Sequence, residues 1–133
     1  MTYTEERKVS RTAKKIFATI SDAWGLAEAQ QRTILGLPVE QSLSKWHANP
    51  SPMGSEQMIQ ISHLMAIYKA LHTLLHQASR ANAWPQKPNK APLFNGGSAL
   101  DLLLRGRQED IHLVRRYLKA EMGLRCPKLD ARP

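Results

Sequence analysis

The chain has 133 residues, enough for one domain or two small, tightly joined lobes, and its 42% apolar and 23% charged content excludes wholesale disorder. Nineteen Lys and Arg against eleven Asp and Glu leave a charge of +8, which suits a polyanion, an anionic membrane surface or an acidic protein as partner. A single Cys excludes an intramolecular disulfide framework and a CxxC metal knuckle.

Apolar spacing is helical nearly everywhere, and no alternating run is long enough for a strand, so the predicted class is all-α. A first helix is expected over about residues 8–24. Ala13, Ile16, Phe17, Ile20 and Trp24 form its apolar arc, opposite Arg7, Lys8, Arg11, Lys14 and Lys15, and Gly25 stops it. A short helix from Leu26 to Leu35 closes on Gly36. A third is expected from Pro38 to His47, with Val39, Leu43 and Trp46 on one face.

Asn49-Pro-Ser-Pro52 breaks the pattern and divides the chain into a lobe of residues 1–50 and a lobe of residues 51–133. Ser55 is the expected N-cap of a long helix to about Gln77, whose apolar residues cover more than half its circumference, as in a central helix. Residues 79–97 read as an ordered loop with a short helical turn, anchored by Trp84, Leu93 and Phe94. Ser98 should cap a helix ending at Gly106. A last helix, from Gln108 to Met122, buries Ile111, Val114 and Leu118, with Gly123 as its stop and a frayed tail from Cys126 to Pro133.

The helix pair around Gly36 has the plan of a helix-turn-helix. Its second helix would expose Glu40, Gln41, Ser42, Ser44 and Lys45, where Gln reads adenine edges and Lys meets guanine or phosphate. An ordinary three-helix lobe with a polar outer face fits the same spacing. Residues 1–50 carry only +2 and residues 51–133 carry +6, so Arg11 and Lys14 of the first helix would have to supply phosphate contacts. On the last helix, His112, Arg115, Arg116 and Lys119 form a second basic stripe, suited to an acidic protein, to phosphate, or simply to solvent.

His72 and His76 stand at i, i+4 without the Glu of an HExxH motif, and they read as boundary residues of a packed helix. No nucleophile–base set and no phosphate-cradling glycine loop occurs, so no enzyme, metal or cofactor is expected. No apolar run reaches ~18 residues, and the N-terminus lacks the plan of a secretion signal. A cytoplasmic chain without a membrane partner is therefore expected.

The second lobe resembles the toxin-binding domain of the MbcA/ParS/Xre antitoxin family. The stretch that carries the resemblance runs from Trp84 through Asn89, Phe94-Asn-Gly96, the cap Ser98 and the leucines from Leu100 to Gly106, with Val114-Arg-Arg-Tyr-Leu118 similar to the terminal helix. Upstream, Trp24-Gly-Leu26, Ile34-Leu-Gly36 and Trp46 are similar to the accompanying Xre-type helix-turn-helix, which extends the resemblance over about residues 10–122. Arg32 stands where such motifs usually carry Ala or Gly, and Ala99 where Pro is frequent.

The resemblance implies an antitoxin that neutralises a RES-domain, NAD-consuming toxin by occluding its active site, with operator DNA and self-association as further partners. Asn89, Asn95, Gly96, Ser98, Asp101, Arg115, Arg116 and Lys119 are the expected toxin contacts. Arg11, Lys14, Gln41, Ser42, Ser44 and Lys45 are the expected DNA contacts.

Overall fold

The computed structural model describes residues 2–125. They form seven helices: α1 (Tyr3–Trp24), α2 (Glu28–Leu35), α3 (Leu43–Ala48), α4 (Ser55–Leu74), α5 (Ala78–Ala83), α6 (Ala99–Leu103) and α7 (Gln108–Arg125). Among the described residues the only extended pairing is a single antiparallel bridge between Pro88 and Ser98, so the protein is all-α as expected.

Helix α1 begins five residues before the expected start because Thr2 and Glu5 form a reciprocal capping box. Its end and that of α2 close on left-handed Gly25 and Gly36, where Leu26 N–H reaches Ser21 O and Leu37 N–H reaches Arg32 O.

The third helix departs most from expectation. Pro38 does not begin it; residues 38–42 form a turn that leaves Val39 84% exposed. Ser42 caps the helix instead, accepting from Lys45 N–H, so α3 has six residues and buries Leu43 and Trp46. The i, i+4 spacing of Val39 and Leu43 is thus not a shared face.

Three smaller corrections follow. Gly54, not Ser55, occupies the N-cap position of α4. That helix stops at Leu74, so His76 lies beyond it. Gly123 lies inside α7 rather than ending it. The expected tail from Cys126 to Pro133 lies outside the described residues.

Helix α4 is the hub. Its buried Ile61, Leu64, Ile67 and Leu71 meet Phe17, Ile20 and Trp24 of α1 on one side and Ile111, Val114 and Leu118 of α7 on the other, within one continuous core. The residues before and after the Asn49–Pro52 break therefore share their apolar interior.

The break itself is held by one polar edge of α1. Arg7 donates from Nε to Pro50 O (3.0 Å), Ser10 Oγ accepts from Met53 N–H (2.8 Å), and Lys14 reaches Asn49 O (2.9 Å). Residues 7, 10 and 14 lie on one helical edge, which is why three polar side chains converge on one connecting segment.

Candidate functional site

The segment from Trp84 to Gly106 is built around three aromatic rings. Trp84 opens a short 3₁₀ turn, Phe94 lies in the following loop, and Tyr117 comes from α7. Phe94 meets Tyr117 edge-on at 5.1 Å and Trp84 edge-on at 5.8 Å, while Trp84 and Tyr117 stack at 6.4 Å. Phe94 is 6% exposed and Trp84 is half-buried. Gln86 ties the start of the loop to α1 by donating to Trp24 O.

Asn89 organises the loop from within. Its Oδ1 accepts from Ala91 N–H (2.8 Å), its own N–H reaches Gly97 O (2.8 Å), and its carbonyl accepts from Gly96 N–H (3.1 Å). The tip is Asn95-Gly96, both exposed and both at positive φ (49° and 85°). A Cβ on Gly97 would lie 2.8 Å from Asp101 Oδ2 and 3.3 Å from Phe94 O, so a side chain there would have to displace the carboxylate that accepts from Ser98 N–H.

Ser98 then caps α6. Its Oγ accepts from Asp101 N–H, and Asp101 Oδ2 accepts from Ser98 N–H in return (3.2 and 3.0 Å). Of the five expected toxin contacts in this segment, Asn95, Gly96 and Asp101 are exposed, whereas Asn89 and Ser98 are half-buried and bonded within the loop.

A cleft of about 230 Å³ adjoins this segment, lined by Leu74, Leu75, Trp84, Asn89, Tyr117 and Glu121 among others. The expected contacts left out Tyr117 and Glu121. Their spacing of four on the flank of α7 nearest Trp84 was a readable signal.

The basic stripe of α7 does not converge on the loop. Arg115 precedes Tyr117 by two positions, about 200° around the helix, and faces α4, where Nη1 donates to His63 Nδ1 (2.9 Å). An arginine only donates, so Nδ1 of that 9% exposed histidine is an acceptor and its ring is neutral. Burial, then the nearby Arg115 and His112, hold the His63 pKa below the usual histidine range. Arg116, Lys119 and His112 are exposed. Arg105 and Arg107 are paired with the buried Asp110 at the start of α7.

At the opposite end, the expected DNA contacts scatter. Lys14 is 6% exposed, with Nζ bonded to Trp46 O (2.6 Å) and Asn49 O (2.9 Å) and lying 5.1 Å from the Trp46 ring centre. It therefore closes the C-terminus of α3 and is not a solvent-facing phosphate ligand, a correction to the sequence reading. Burial lowers its pKa below the usual lysine range. Gln41 and Ser42 precede α3 rather than standing on its outer face, and Ser42 is used as a cap. Arg11, Ser44 and Lys45 are exposed.

Fold and site together define a small all-α protein whose helical hub holds a stiff, aromatic-anchored loop at its surface. No protein-family model matches the chain. It is 37% identical over 107 residues to the uncharacterized protein y4oB of Sinorhizobium fredii, an alignment covering 80% of this chain and 81% of that one. The chain belongs to the same family as y4oB.

Proposed function

We propose that the protein is the antitoxin of a toxin–antitoxin pair, and that it neutralises a RES-domain, NAD-consuming toxin by covering the toxin's active site. The loop carries this reading. Its tip is exposed while its base is fixed by Trp84, Phe94, Tyr117 and the Asn89 hydrogen bonds, so little ordering entropy is lost on docking. Asn95, Gly96 and Asp101 form the contacting edge, and the half-buried Asn89 and Ser98 hold it in shape.

Arg116 and Lys119 belong to a different face of α7, suited to acidic residues outside the toxin's pocket. Arg115, occupied with His63, shapes that face rather than extending from it. Autoregulation by operator binding is part of the proposal, with Arg11, Ser44 and Lys45 as the side chains in position to serve it. A stand-alone helix-turn-helix regulator has less support, because it would rest on the six-residue α3 alone, about 9 Å of helix, and would leave the ordered loop without a role.

The test is co-purification of the toxin with the wild-type chain and with Asn95→Arg, a substitution at the exposed tip. The expected result is a complex with the wild type and at least tenfold weaker binding by the variant. Undiminished binding by a folded Asn95→Arg chain would remove the loop from the interface.

A further inference from the structure

On the face of the molecule away from the polar edge of α1, an open apolar channel runs between α1 and α4. Two adjoining hollows of about 330 and about 360 Å³ share Thr12, Ile16 and Met65. Residues 8–16 of α1 lie beside residues 58–65 of α4 in the first, and residues 12–20 beside 65–69 in the second, so the channel follows both helices. Its floor is Ile16, Ile61 and the side chains of Met58 and Met65. Val9, 40% exposed, stands on its lip.

The rim is basic. Lys8 and Lys15 stand seven residues apart along one side, and Lys69 stands across from them on α4. All three are exposed, and among the described residues none has a carboxylate within ion-pair distance. No acidic residue lines either hollow.

We propose that this channel is a docking groove for an amphipathic helix of a partner protein, with an apolar stripe for the floor and acidic residues for the three lysines. It is a surface separate from the loop. Between Lys8 and Thr19 it spans about 17 Å, three turns of helix, and its two methionines adapt to varied apolar side chains. Apolar anchors at i, i+3 and i+7 with flanking carboxylates are the matching ligand pattern. A second copy of this chain is a poor occupant, because pairing two such faces brings two sets of unpaired lysines together.

The test uses the full chain and two labelled helical peptides of about fourteen residues, one with leucines at i, i+3, i+7 and i+10 flanked by glutamates, the other with lysines in place of the glutamates. Anisotropy reports binding, and methyl NMR of Met58 and Met65 reports its place. The expected result is saturable, salt-sensitive binding of the acidic peptide alone, with both methionine methyls shifted. The Lys8→Glu, Lys15→Glu, Lys69→Glu triple variant should bind it at least tenfold more weakly and accept the lysine peptide.

Equal binding of both peptides, no binding, or binding that leaves the methionine methyls unmoved would overturn the proposal. So would methyl shifts that track protein concentration as a dimer forms in sedimentation. Should the triple variant fail to fold, Val9→Glu at the lip decides: lost binding supports the groove, and unchanged binding refutes it.

Discussion

Lys14 offers the sharpest contrast between a charge that meets solvent and one that holds the fold. Replacing it with Met keeps most of the aliphatic stem and removes the ammonium that lies over the Trp46 ring. Trp46 O and Asn49 O then lose a donor at the C-terminus of α3. A hydrogen bond to a charged group contributes about 1.5–3 kcal/mol, and part of the loss is returned because a charge no longer has to be buried. The net destabilisation should be about 2 kcal/mol, which for a chain of this size lowers Tm by roughly 6–8 °C.

Arg11→Met, three residues away at an exposed position, is the control and should stay within about 0.5 kcal/mol of wild type. Thermal unfolding by circular dichroism measures both. If the two variants melt together and Lys14→Met instead weakens duplex binding, the lysine faces solvent and the structural assignment fails.

Three further outcomes are expected. Phe94→Ala should cost roughly 3–5 kcal/mol and Trp84→Ala less, since Phe94 is buried and Trp84 only half-buried; equal losses in chemical denaturation would contradict that ranking. His63 is neutral in the folded protein with a lowered pKa, so the unfolded chain takes up the proton first. Stability should be full above about pH 6.5 and fall as the pH drops below it, and His63→Gln should flatten that fall; identical pH profiles would refute it. Arg116→Glu with Lys119→Glu should leave Tm within about 2 °C of wild type while weakening an acidic partner, and a large loss of Tm would show that the pair is structural.

Much of this architecture was legible because apolar periodicity reports burial directly. The Phe17, Ile20, Trp24 arc and the many-sided α4 were readable from spacing, and so were the Ser98 cap and the helix ends at Gly25 and Gly36. What periodicity does not report is where a polar side chain finds its partner. Arg7 and Lys14 read as part of a basic face, yet they bond carbonyls more than thirty residues away. Lys8 and Lys15, from the same charge run, border an apolar channel that becomes visible only when α4 lies beside α1.

Turn chemistry explains the error at α3, where Ser42 as a cap prevailed over Pro38 as a first-turn residue. In the loop, Trp84 and Phe94 were recognisable as anchors. Asn89 reads as a contact from sequence alone, because nothing in its neighbourhood shows that its Oδ1 already accepts from Ala91 N–H.

The most direct test of the antitoxin proposal is co-expression of the chain with a RES-domain toxin encoded beside it, following growth and cellular NAD. Recovered growth, preserved NAD and a co-purifying complex that weakens with Asn95→Arg are the predicted results. Persistent NAD loss, with the two proteins both present and purifying apart, would contradict the account.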